Sequence, residues 1–187
     1  MARKTKKPQR KSFLWILIVI SLIAIFVLPQ WAKLFYPLPY QELVYSYAQR
    51  YDLDPWLVFS VIRAESRFQY DAESQVGAKG LMQIMPETGQ WIAEQLGESE
   101  FDPDCLQEAE VNIAMGCWYL NYLFKEFDGN LCMGLAAYNA GINRVKDWCE
   151  QGVWDGERNS LDQIPYSETC EYVRKVLNNY EVYQAIY

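Results

Sequence analysis

Residues 54–68 read DPWLVFSVIRAESRF. Asp54 followed by Pro55 is an N-cap and first-turn pair, because the carboxylate accepts a free N–H of the first turn and proline loses no helical bond there. Leu57, Val58, Val61 and Glu65 then fall at helical spacing, so the stretch predicts a helix whose apolar stripe ends on a carboxyl group. A glutamate so placed is either a solvated end residue or an acid held against the core. In the second case desolvation raises its pKa. At a reference value near 4.3 only ~0.2% is protonated at neutral pH, whereas at roughly 6 about a tenth can donate a proton.

Helical periodicity continues outward from this segment. It predicts helices over 40–51, 54–68, 86–96, 108–127, 131–139, 142–151 and 168–184, and strand signals are sparse. Gly97, Gly129 and Gly152 fall just after such patterns, where a left-handed cap is wanted. The expectation is an all-α domain with a short irregular segment around 70–85.

The amino-terminal part differs in kind. Residues 1–12 hold six bases (Arg3, Lys4, Lys6, Lys7, Arg10, Lys11) and no acid. Phe13 to Leu28 is then a sixteen-residue run with Ser21 as its one polar member. Carried through Trp31 and Ala32, it reaches about 20 residues, the length of a membrane span. Trp15 and Trp31 stand near its ends, where amphipathic rings favour the interface. The reading is a basic cytoplasmic tail (1–12), a transmembrane signal anchor (13–32), a spacer containing Pro37 and Pro39 (33–39) and an extracytoplasmic catalytic domain (40–187). Bases preceding the span place the amino end inside a bacterial cell membrane crossed once. A cleaved signal peptide is the alternative; no clear small-x-small cleavage site follows the apolar run.

Charge and composition remove several functions. Six of the 17 bases lie in the tail, which leaves 11 against 24 acids and a net of −13 beyond it. So acidic a body is a poor nucleic-acid binder. The chain has no histidine, which removes Ser-His and Cys-His nucleophile pairs and the usual imidazole-bearing zinc sites. Carboxylate-driven chemistry survives, glycoside cleavage foremost. Five cysteines (Cys105, Cys117, Cys132, Cys149, Cys170) all lie in the exported part; their odd number leaves at least one thiol over.

Four motifs in order sharpen the reading: Glu65-Ser66; Gly80-Leu81-Met82-Gln83 continued by Ile84-Met85-Pro86; Ala137-Tyr138-Asn139-Ala140-Gly141; and Tyr172 within Glu168-Thr169-Cys170-Glu171-Tyr172-Val173. With these, the chain from about Tyr40 onward resembles the lytic transglycosylase domain of the soluble type, glycoside hydrolase family 23. Asn112-Ile113 through Gly116 and Tyr119-Leu120 also match the family's long central helix. One position departs: family members usually carry arginine where Cys170 stands.

The resemblance implies a lysozyme-like, goose-type helical domain acting on peptidoglycan glycan strands without metal or cofactor. It implies that Glu65 protonates the oxygen linking N-acetylmuramic acid to N-acetylglucosamine. The same carboxylate then takes the proton of the muramoyl C6 hydroxyl as that oxygen attacks C1, leaving a 1,6-anhydro end. It further implies that Ser66 orients the glutamate or the sugar's acetamido group. Gly80, Leu81, Met82, Gln83, Met85, Tyr138, Asn139 and Ala140 would form the glycan subsites, and Tyr172 would hydrogen-bond near Glu65. Two alternatives stand beside it: a lysozyme-like hydrolase with Asp71 or Glu73 as a second acid, and a non-catalytic peptidoglycan-binding module. Neither a protein partner nor the biological occasion of cleavage is legible.

Overall fold

The computed structural model describes residues 14–16, 18–19, 21, 30–98 and 100–187. It divides into residues 1–37 with 186–187, and residues 38–185. In the first unit residues 30–35 are helical, and Trp31, Leu34 and Phe35 are exposed. The expected membrane anchor over 13–32 lies for the most part outside the described residues, and among those described no helix is long and apolar enough to cross a membrane.

The second unit is helical, as the periodicity predicts. Among the described residues its α-helices are α1 (Gln41–Arg50), α2 (Pro55–Glu65), α3 (Pro86–Leu96), α4 (Ala109–Glu126), α5 (Leu131–Ala140), α6 (Ile142–Glu150) and α7 (Ser167–Ile186). Short 3₁₀ turns occupy Pro103–Gln107 and Arg158–Gln163.

α2 is the core helix. Its Asp54 cap accepts from Trp56 N–H at 2.8 Å, and the other carboxylate oxygen accepts from the Tyr180 hydroxyl of α7 at 2.6 Å. Leu57, Val58, Phe59, Val61 and Ile62 are all buried, so apolar groups cover the helix on every side. Trp56 and Phe59 pack with Tyr183 of α7 and Tyr45 of α1. α4 is the second spine. Gly134 of α5 lets α5 approach it closely, because a Cβ there would lie 2.2 Å from the Phe124 ring.

One boundary departs from expectation. Periodicity extends α2 to residue 68, yet the helix stops at Glu65. Arg67 and Phe68 take left-handed backbone (φ 51° and 67°), and the Ser66 hydroxyl captures the Phe68 N–H at 3.1 Å. A serine side chain competing for backbone N–H groups in this way ends helices. The irregular segment around 70–85 is observed as a loop with two isolated bridges, Glu73 with Lys79 and Lys79 with Ile84. All five cysteines are free thiols.

Candidate active site

Glu65 stands on the last turn of α2, where the chain leaves the core. Its side chain is partly covered, and desolvation by the surrounding core raises its carboxyl pKa to about 7. Two weaker influences oppose that rise: the Tyr172 hydroxyl and the Lys175 ammonium, both on α7. At neutral pH about half of such a group is protonated. Among the described residues no carboxylate acts on Glu65; Asp71 and Glu73, the candidate second acids, are exposed on the 70–85 loop.

The second motif lies against this acid through backbone bonds. Ser66 is buried, and its hydroxyl donates to Leu81 C=O at 2.8 Å. That bond makes Ser66 a strut between the end of α2 and the Gly80–Gln83 turn, rather than a group pointed at a ligand. Gly80 has φ 78°, and a Cβ there would lie 2.3 Å from both the Asn112 amide nitrogen and Leu106 C=O. Only glycine fits that turn. Gln83 also holds left-handed backbone (φ 48°), and its side-chain amide donates to Ala72 C=O at 3.0 Å and Gly80 C=O at 2.9 Å. Leu81 and Met82 are fully buried, so they anchor the turn instead of touching solvent.

Asn112 of α4 completes the anchoring. Its oxygen accepts the Met82 N–H at 2.7 Å, and its amide donates to Lys79 C=O at 2.9 Å and Leu106 C=O at 2.7 Å. Gly116, one turn further along, makes room for Met82, whose sulfur would lie 2.3 Å from a Cβ there.

The third and fourth motifs close the other side. Tyr138 of α5 donates its hydroxyl to Met82 C=O at 2.8 Å. Asn139 is exposed and accepts from the Thr169 hydroxyl at 2.8 Å, while Ala140 is buried at the end of α5. Tyr172 is buried, and no acceptor meets hydrogen-bonding geometry at its hydroxyl. That hydroxyl nonetheless lies near enough to Glu65 to draw its pKa down, a close approach without a formed bond. Burial first, and the Glu65 carboxylate second, push the Tyr138 and Tyr172 phenols well above their ordinary range; both stay neutral donors.

A cavity of about 180 Å³ opens beside these groups, with Gln83, Met85, Tyr138, Asn139 and Ala140 in its lining together with Tyr119. Glu65 is not in that lining, although the Tyr138 phenol, which is, feels its charge. A larger cavity of about 620 Å³, near Tyr47 and Phe101, contains none of these residues, so size does not mark the chemistry here.

Three contributors escape a reading by motif. Lys175 lies one turn beyond Tyr172 on α7 and donates to Ala64 C=O beside the acid. Burial lowers its pKa and the Glu65 charge offsets part of that fall. Its spacing of three from Tyr172 was the available signal. Thr169 and the anchoring role of Asn112 depend on contacts across 30 or more residues, which no local pattern carries.

Comparison with known proteins gives the family and the fold. The transglycosylase SLT domain matches residues 42–161. The soluble lytic murein transglycosylase of Salmonella typhimurium is 35% identical over 144 residues, covering 76% of this chain and 22% of the relative. The crystal structure of the 70 kDa soluble lytic transglycosylase from Escherichia coli superposes with a TM-score of 0.75 at 33% identity, over 80% of this chain and 25% of that one. The membrane-bound lytic murein transglycosylase F of Desulfosudis oleivorans is 35% identical over 115 residues, covering 58% of this chain and 23% of that relative. The chain thus spans about a quarter of the length of these relatives or less.

Proposed function

Because this chain belongs to the transglycosylase SLT domain family, we propose that it cleaves the β-1,4 bond between N-acetylmuramic acid and N-acetylglucosamine in peptidoglycan and leaves 1,6-anhydromuramoyl ends. The observation that carries this reading is one partly covered acid set against the core. Glu65 has its pKa raised to about 7, and among the described residues no second carboxylate acts on it.

A glycosidase that delivers water positions that water with a second carboxylate. With one carboxyl group, the same residue must give a proton to the leaving oxygen and then take one back. Glu65 suits both halves, since a pKa near the working pH leaves it a competent acid and a competent base. The nucleophile is then the C6 hydroxyl of the muramoyl sugar itself. An attached, oriented hydroxyl gains an effective molarity on the order of 10⁵ M or more, which removes the need for an activated water.

Tyr138 and Tyr172 divide their work. The Tyr138 hydroxyl is committed to Met82 C=O and fixes the cleft wall. Among the described residues the Tyr172 hydroxyl has no formed hydrogen bond, and it donates to Glu65 once the acid has given up its proton. Lys175 adds a positive charge on the same side. Both stabilise the carboxylate only after proton transfer, when negative charge has appeared. Gln83, Met85, Asn139 and Ala140 line the ground for the sugars beside the bond. We assign Ser66, Gly80, Leu81 and Met82 to shaping the site rather than to touching the glycan.

We further propose that residues 13–32 anchor the catalytic unit outside a bacterial membrane. The basic tail and apolar run support this, as does the similarity to a relative that is itself membrane-bound.

The test digests purified peptidoglycan with the full chain in mild detergent, beside its Glu65→Gln variant, and weighs the products. Products with anhydromuramoyl ends, one water lighter than reducing ends and absent with the variant, are expected. Reducing ends would move the reading to hydrolysis; a folded protein without products would leave a binding module.

A further inference from the structure

The larger cavity, of about 620 Å³, shares no lining residue with the cleft cavity. It lies between the carboxyl half of α1, the chain that follows α3 and the first turns of α4. Its volume falls within the ~300–1,000 Å³ of pockets that hold ligands. Phe101, Val111, Ala114 and Met115 give it an apolar lining, joined by Leu96, which is 42% exposed. Glu98, Glu100, Asp102 and Glu110 stand exposed in the same lining. Arg50 is the one base there among the described residues, and its guanidinium lies over the Tyr47 ring at 5.6 Å. Glu110 accepts the Tyr47 hydroxyl at 3.0 Å. Among the described residues none of the four carboxylates is in a salt bridge, whereas Asp104 close by is paired with Lys79 at 2.6 Å. Their charges converge on the hollow. The Cys105 thiol in its lining is pushed up by burial first, then by Glu108, Asp102 and Glu98.

We propose that this cavity docks a basic segment of a partner protein. Apolar side chains of the segment sit among Phe101, Val111 and Met115, and flanking lysines or arginines meet Glu98, Glu100, Asp102 and Glu110. Unpaired like charges gathered at one hollow repel one another, and a cation placed among them relieves every such pair. Nucleic acid, an anionic lipid surface and a carboxylate-bearing stem peptide all meet repulsion there. An inorganic cation would satisfy the rim and leave the apolar lining wet. A neutral apolar ligand would cover the lining and leave the acids unpaired. A peptide that is both basic and apolar answers both demands: its buried side chains supply affinity, and its rim charges supply encounter rate and selectivity. Glu98, Glu100 and Asp102 alternate along the segment after α3, so they offer several positions to cations on a neighbouring chain. The site uses neither Glu65 nor the cleft, and it stands independently of the cleavage reading.

The test titrates the full chain, in mild non-ionic detergent, with a short synthetic peptide carrying leucine and phenylalanine between paired lysines. Calorimetry should show saturable binding that weakens as ionic strength rises from about 0.01 M to about 0.15 M. Serine in place of the peptide's leucine and phenylalanine should weaken binding by about tenfold or more. Glutamate in place of its lysines should abolish binding. On the protein, Glu98→Gln combined with Glu100→Gln removes two exposed ion pairs and should weaken binding about tenfold. Ala114→Trp, which fills the cavity, should abolish it; if that variant melts below the parent, the glutamine pair decides. Equal binding of the serine or glutamate peptide, or binding undiminished by the glutamine pair, overturns the site. Absence of saturable binding by the parent overturns the partner as occupant. If binding then appears once the six bases of residues 1–12 are replaced by serine, the occupant is the chain's own tail. Both protein variants should still make anhydromuramoyl products, so failure here leaves the cleavage reading untouched.

Discussion

Glu65 gains a high pKa from the same burial that makes it a liability. Its carboxyl titrates at about 7 when folded, against an ordinary value of 4.5. Between those limits the folded state holds the extra proton, so stability declines as pH rises from about 4.5 through 7. Below 4.5 both states are protonated and nothing is lost. Above 7 a charged carboxylate sits desolvated, at a penalty of roughly 3 kcal/mol. Glu65→Gln carries no such charge: calorimetric melting of parent and variant should coincide near pH 4 and separate above pH 7, the variant melting several degrees higher. Equal melting temperatures at pH 8 would mean that the site is wetter than its surroundings suggest. The same titration governs turnover. With Glu65 as the acid, kcat/KM should hold below pH 7 and fall about tenfold per unit well above it. Helical spacing placed this carboxyl on an apolar stripe but left open whether it was solvated, and the four motifs in order singled it out. Its partners were not: Tyr172 and Lys175 reach it from a helix over a hundred residues away, and periodicity is silent about such meetings.

Among the elements, the loop between α2 and α3 depends most on what lies outside it. Its turn at Gly80 is closed by Asn112, one side chain serving the Met82 N–H and the Lys79 and Leu106 carbonyls. Asn112→Ala leaves the Met82 N–H and the Leu106 C=O without that partner, while the Lys79 C=O keeps the Ile84 N–H, which should cost about 2–4 kcal/mol in urea unfolding. Activity should fall further than the unfolded fraction explains, because the cavity-lining Gln83 and Met85 lose their support. A variant that melts like the parent would show that water replaces the amide. The helices themselves were read to within a few residues. The exception is instructive: α2 follows its apolar pattern in sequence to residue 68, but the Ser66 hydroxyl takes the Phe68 N–H, also bonds to Leu81, and the helix ends at Glu65. Periodicity gave way to the bonds of one serine, and they leave the acid at a helix end.

The whole molecule carries its charge unevenly. Residues beyond the basic tail sum to −13, and the stem peptides of peptidoglycan carry carboxylates of their own. Approach is therefore opposed at long range, and salt should relieve it. Raising ionic strength from 0.01 M to 0.15 M shortens the screening length from about 30 Å to about 8 Å. The KM for peptidoglycan should fall over that range with kcat little changed; a KM that rises instead would reveal a local positive patch that dominates encounter. The helical class and the order of the motifs were plain from the chain. The enclosure of the acid was not, because it needs α2, α4, α5 and α7 together.

That dependence has a temporal side. A polypeptide delivered amino end first, from a ribosome or through a membrane, presents Glu65 and the Gly80 turn early. Asn112 follows thirty or more residues after Lys79 and Met82, which it holds, and Tyr172 arrives only with α7. Until then the carboxyl remains in water with an ordinary acidity and no walls around it. On the proposed reading, competence to cut is thus postponed until α7 has emerged, a built-in delay that requires no inhibitor.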